Sequence, residues 1–157
     1  MEQSDDRWLR ASFDIARQAA RRGDEPFGAV LVDAGGILLL EAGNTEITER
    51  DCTGHAELNL VRQACGRFGP DILAGATLYA SAEPCAMCAG AIVMSGVRRV
   101  VFGLSAPRFF EWRSIQPTWR GRCVEILAAN DPPIEVIGPV LESEALAVHE
   151  DFRSHRH

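Results

Sequence analysis

The chain has 157 residues, 46% hydrophobic and 24% charged, with a formal net charge of −6 and an isoelectric point near 5.2. That size suits one domain spanning residues 1–157, and the composition excludes a disordered or fibrous chain. The acidic balance argues against a phosphate-binding face for nucleic acid. All sixteen basic residues are arginine, which excludes lysine Schiff bases and a P-loop lysine. No apolar run approaches the roughly 20 residues of a membrane span. Residues 1–6 are acidic and lack the apolar core of a secretory signal, so a cytoplasmic location is the expectation.

Residues 5–22 predict a helix, with Leu9, Phe13, Ala16 and Ala20 recurring on one face and Gly23 stopping it. A buried strand is expected over 27–32, a turn at 33–36 and a second hairpin strand over 37–41. Gly43-Asn44 opens a polar loop. A second helix begins at Thr53 or Gly54 and ends at Gly66 or Gly69-Pro70. A third strand covers 76–81, and Pro84 starts a third helix over 85–94 that Gly96 ends. Strands over 99–104 and 134–137 and a helix over 142–153 complete the reading, with 105–124 unassigned. Alternating helices and strands place helices on both faces of a mixed sheet.

Five cysteines stand at 52, 65, 85, 88 and 123, an odd number in a chain without secretory features. A metal or thiol site is favoured over a disulfide framework. Cys85 and Cys88 share a helix face in a first turn, where unpaired N–H groups favour thiolates. With His55 they form a Cys₂His set, which leaves zinc an open fourth position, as catalytic sites require. A fourth ligand from Cys52 would close that position, so Cys52, Cys65 and Cys123 read as small buried hydrophobes. Glu57, two residues after His55, suits a proton shuttle. A structural zinc site has no use for such a carboxylate.

His55-Ala56-Glu57 and Pro84-Cys85-Ala86-Met87-Cys88 match the H-x-E…P-C-x-x-C signature of zinc nucleobase deaminases. With Pro26-Phe27-Gly28-Ala29-Val30 as first strand and Gly43-Asn44 as substrate loop, the chain resembles the cytidine deaminase superfamily over almost its whole length. The resemblance is closest to the branch of guanine, cytosine and bacterial tRNA adenosine deaminases. It implies a three-layer α/β/α sandwich around a five-stranded mixed sheet, usually dimeric, with His55, Cys85 and Cys88 holding Zn²⁺ and Glu57 moving protons. It further implies that Asn44 hydrogen-bonds the substrate ring, with the backbone of Ala56 and Glu83 lining the pocket. The reaction so implied is hydrolysis of an exocyclic amine on a heteroaromatic ring, releasing ammonia.

The substrate is less legible. Phe27 is similar to the residue of guanine deaminases at this position, and Met94 to that of cytosine deaminases. Residues 105–110 lack the lysine typical of the tRNA enzymes at this point. The expectation is a small-molecule heteroaromatic amine: guanine, cytosine or an aminotriazine. The alternatives are a tRNA-specific adenosine deaminase and a non-catalytic, zinc-stabilised RNA-binding or regulatory subunit. Residues 107–123 hold four of the eleven aromatics, Phe109, Phe110, Trp112 and Trp119, interleaved with arginines. They suit a substrate lid, an RNA surface or plain packing. His149, His155 and His157 read as surface residues.

Overall fold

The computed structural model describes residues 3–117 and 121–154; Trp119, Arg120, His155 and His157 lie outside them. The elements in order are α1 (Gln3–Arg22), β1 (Gly28–Val32), β2 (Leu38–Gly43), α2 (Ala56–Arg67), α3 (Pro70–Gly75), β3 (Thr77–Ala82), α4 (Ala86–Ser95), β4 (Arg99–Leu104), α5 (Ala106–Arg113), α6 (Cys123–Ala128), β5 (Glu135–Ile137) and α7 (Glu142–Ser154). The five strands form one sheet in the order β2-β1-β3-β4-β5. β1 runs antiparallel to β2 and β3, whereas β3, β4 and β5 are parallel. The expected mixed sheet is therefore present.

Why the sheet lies between helical layers follows from its strands. β1 is buried at every position, so it reads as a continuous apolar run rather than an alternating one. Its side chains still alternate between faces. Ala29 and Leu31 pack with α2, α4 and α6 through Leu60, Ile92 and Leu127. Val30 and Val32 pack with α1 and α7 through Leu9, Phe13 and Val148. Gly28 lets α1 approach: a Cβ there would sit 2.3 Å from the Ser12 carbonyl oxygen and 2.5 Å from the Ala16 nitrogen.

A polar tie fastens the end of the sheet where β4 begins. Asp5 is buried and accepts from Arg99 Nη1 and Nη2, each at 3.0 Å, and from Tyr79 Oη at 2.8 Å. Arg99 also donates to Glu135 at 2.9 Å. The Asp5 carboxylate thus ties α1 to β3 and β4, and Arg99 extends the tie to β5 through Glu135, at the opposite end from the site described below.

Several boundaries differ from expectation. Residues 70–75 form a short helix, because Pro70 suits a first helical turn as well as it ends the preceding helix. The unassigned stretch forms α5 and α6. Ser105 caps α5, accepting from Arg108 N, and Ser114 ends it in the left-handed conformation at φ 55°. Cys52 and Cys65 are exposed, not buried; only Cys123 of that trio is in the core. His149 is also not a surface residue. It is 2% exposed on α7, because that helix turns it toward the aromatic side chains of α5. No helix among the described residues is long and apolar enough to cross a membrane.

Candidate metal centre and active site

Two helix starts meet at the carboxyl end of β3, where ligands gather in open α/β sheets. His55 is the N-cap of α2 and Cys85 the N-cap of α4, both with extended backbone. Pro84 and the strand end before it aim Cys85 into this space, and Cys88 follows one turn later. His55 Nδ1 lies 3.5 Å from Cys85 Sγ and 3.6 Å from Cys88 Sγ. The three donor atoms fall within 4.8 Å of one another. Tetrahedral zinc, with Zn–S about 2.3 Å and Zn–N about 2.0–2.1 Å, requires N···S separations of about 3.5–3.6 Å. Both the donor chemistry and its spacing therefore fit Zn²⁺.

The electrostatics of the cluster point the same way. Cys85 is pulled down to about 4, chiefly because Cys88 donates to it, with His55 assisting. Cys88 is pushed up, first by its interaction with Cys85 and then by burial. His55 is raised to about 9 by its hydrogen bond with Cys85. The cluster thus favours a thiolate at Cys85 beside an imidazole, the donor set that zinc takes.

Glu57 is the second residue of α2, in its first turn and 6% exposed, its Oε2 accepting from Cys88 Sγ at 3.8 Å. Burial pushes it up to about 7, against the opposing pull of His55. A carboxyl group near neutrality can both take and give a proton.

A cavity of about 810 Å³ opens over this floor. Phe27, Phe109, Phe110 and Ile115 supply apolar walls. Phe27 meets Phe109 edge-on at 5.6 Å and His149 at 5.0 Å, while Phe109 and Trp112 flank His149 at 5.2 and 5.8 Å. The described aromatics of 107–117 therefore wall the cavity or back its wall. Burial holds His149 down at about 4, with Arg113 adding to the effect.

Of the expected substrate residues, Asn44, Phe27 and Glu83 line the cavity. Asn44 is 1% exposed; its Oδ1 accepts from Glu46 N at 3.0 Å and its Nδ2 donates to Glu46 Oε2 at 2.6 Å. Glu83 donates its backbone N–H to Leu104 O at 2.7 Å. Its carboxylate accepts from Arg122 at 2.8 and 3.1 Å and from Ala106 N at 2.9 Å. Ala56 is fully buried at the start of α2, its side chain in the core rather than in the cavity wall. Met94 is a correction. It is 87% exposed near the far end of α4 and does not line the cavity, because the helix carries it away from Cys85.

Two residues of this region escape the motif. Glu46 lines the cavity, with Oε1 3.7 Å from His55 Nε2. Asp24 is wholly buried and accepts from Ile47 N, Thr48 N and Thr48 Oγ1 at 2.9–3.1 Å, which fixes the loop that carries Asn44 and Glu46. The signal for Asp24 was its place right after the Gly23 helix stop, where a buried acid has loop N–H groups to cap.

Comparison with known proteins gives this geometry a lineage. Residues 2–104 match the family model of the cytidine and deoxycytidylate deaminase zinc-binding region. A probable cytosine deaminase of Schizosaccharomyces pombe is 37% identical over 97% of this chain and 94% of its own length. A tRNA-specific adenosine deaminase of Bacillus subtilis is 41% identical over 66% of this chain and 64% of its own. The guanine deaminase of Nitrosomonas europaea superposes with a TM-score of 0.79 at 22% identity, covering 94% of this chain and 83% of that one, a likeness of fold. A cluster that fits zinc, set in the five-stranded sheet shared with that structure and matched across two thirds of the chain by the family's zinc-binding region, leads to one conclusion: this protein belongs to the cytidine and deoxycytidylate deaminase family, and is a zinc deaminase that hydrolyses a C–N bond.

Proposed function

We propose that the protein deaminates a free nucleobase or base-like heterocycle, with His55, Cys85 and Cys88 as metal ligands and Glu57 as the proton carrier. The observation that carries this is the placing of Glu57 beside the donor cluster on the floor of an aromatic cavity. Bound zinc supplies a Lewis acid that makes water nucleophilic at neutral pH. The remaining work falls to the chain. Phe27 and Phe109 offer faces and edges for a flat ring, and the cavity walls exclude bulk water. Asn44 orients the ring by hydrogen bonding, and the backbone N–H of Ala56, at the first position of α2, is a second donor in this proposal. Glu57, buried and near neutrality, relays two protons in turn: it takes one from the attacking water and gives it to the ring nitrogen, then takes the second from the same oxygen and gives it to the amine, which leaves as ammonia while the ring carbon keeps the oxygen.

The choice of a free ring over a nucleotide rests on charge. Among the described residues lining the cavity, the one guanidinium is Arg122, and Glu83 engages it through two hydrogen bonds. The Glu46 carboxylate also faces the cavity, so a phosphate would enter without a partner among these side chains. Similarity to the probable cytosine deaminase along nearly both full lengths supports the same reading. Similarity to the tRNA-specific enzyme is higher but confined to two thirds of each chain. A homodimer is part of the proposal: α4 leaves Met87 and Met94 exposed, an apolar face that a second copy would cover.

The test is ammonia release by zinc-loaded protein from cytosine, guanine, adenine, 5-azacytosine and amino-s-triazines, with the matching nucleosides and an adenosine-34 tRNA stem-loop. Turnover of a free ring and none of the stem-loop supports the proposal. Turnover of the stem-loop alone overturns it.

A further inference from the structure

His55 offers Nδ1 to the two sulfurs, so a metal at that cluster needs the Nδ1 lone pair and the ring proton on Nε2. What faces Nε2 is the Glu46 carboxylate, with Oε1 at 3.7 Å. Its other oxygen is held by Asn44 Nδ2 at 2.6 Å, and Glu46 N donates to Asn44 Oδ1 at 3.0 Å. The two residues close a ring of hydrogen bonds that points the carboxylate at the imidazole. Asp24 secures the same loop from behind through Ile47 and Thr48. The side chains of Glu46 and His55 are 30% and 29% exposed, so the pair sits at the rim of the cavity, partly shielded from water.

We propose that Glu46 is a positioning residue: its carboxylate fixes the Nε2–H form and orientation of His55 and, through Asn44, ties the metal centre to the substrate loop. This rests on His55, Cys85 and Cys88 being the metal ligands. Carboxylates that accept from the second nitrogen of a ligating histidine raise its basicity, and their loss typically weakens metal binding about 10–100-fold. A glutamine at 46 still bonds Asn44 but no longer presents a charge to Nε2.

The experiment measures Zn²⁺ dissociation constants by competition with a chromophoric chelator for the wild type, Glu46→Gln, Glu46→Ala and Cys85→Ala. Glu49→Gln serves as a control on the same loop; Glu49 is exposed and accepts from Thr45 Oγ1 at 3.2 Å. Glu46→Gln and Glu46→Ala should bind zinc about 10–100-fold more weakly, and Glu49→Gln should match the wild type. Nitrogen NMR of the zinc-loaded protein should show His55 protonated at Nε2, with that proton exchanging faster in Glu46→Gln. An unchanged dissociation constant in Glu46→Gln overturns the inference. So does a loss matched by a fall in the unfolding midpoint of the metal-free variant, which would mean that Glu46 only holds the loop together. If Cys85→Ala binds zinc as tightly as the wild type, the metal site itself is misassigned; if it loses zinc while Glu46→Gln does not, only the role of Glu46 fails.

Discussion

His149 makes stability depend on acidity in a calculable way. It is almost fully buried among Phe27, Phe109 and Trp112, with Arg113 as a nearby positive charge, and both burial and that charge oppose protonation. In the unfolded chain the imidazole takes up its proton near 6.5; in the fold it does so only near 4. As pH falls, the unfolded state therefore gains its proton first, and the fold loses stability between those two values. The stabilisation is intact above about pH 7. Linkage between these two values gives a loss of about 2 kcal/mol between about pH 7.5 and pH 5, rising toward about 3 kcal/mol once both states are protonated. The assay is urea unfolding of chelator-treated wild type and His149→Leu at both pH values, so that metal release does not enter and other titrating groups cancel in the difference. The leucine variant should lose about 2 kcal/mol less than the wild type on acidification. Equal losses in the two proteins would refute the claim that a neutral imidazole is built into this wall.

Three further outcomes are expected. Glu57→Gln should keep zinc stoichiometry and unfolding midpoint yet lose about 10²–10⁴-fold in ammonia release, measured on whichever ring the wild type turns over. Asp5→Ala should cost about 2–4 kcal/mol in urea unfolding, since it removes the buried acceptor of Tyr79 and two of the hydrogen bonds of Arg99, while leaving zinc affinity unchanged at the far end of the sheet. Gly28→Ala should lower stability by about 2 kcal/mol, because its Cβ meets the rigid α1 backbone rather than a movable side chain; a thermal midpoint within a degree of the wild type would contradict that packing.

The metal cluster was legible because its chemistry lies in two short motifs, each at a helix start, and helix starts are signalled locally by residues such as Pro84. The strands were legible for a similar reason: after Arg99 comes an uncharged run, Val100 to Leu104, bounded by the Ser105 cap, and β4 occupies 99–104. Glu46 was hidden because its role depends on the loop folding back on Asn44 and His55, which no periodicity records. His149 was misread as exposed because α7 has charged neighbours at Glu144 and Glu150 and no sequence signal for the α5 aromatics that receive it. Met94 failed for a different reason: its role came from resemblance alone, and nine residues along α4 from Cys85 it lies near the opposite end of the helix from the metal ligands.

The cavity is assembled from distant parts of the chain, and that sets an order of events during synthesis. His55, Cys85 and Cys88 have all been made by residue 88, whereas the aromatic wall needs α5 and then His149, sixty-one residues later. At the usual ribosomal pace of about 5–20 residues per second, the interval is about 3–12 s. During it the nascent chain already carries all three donors but has no closed cavity above them, so zinc can be captured before there is a pocket for a substrate to enter.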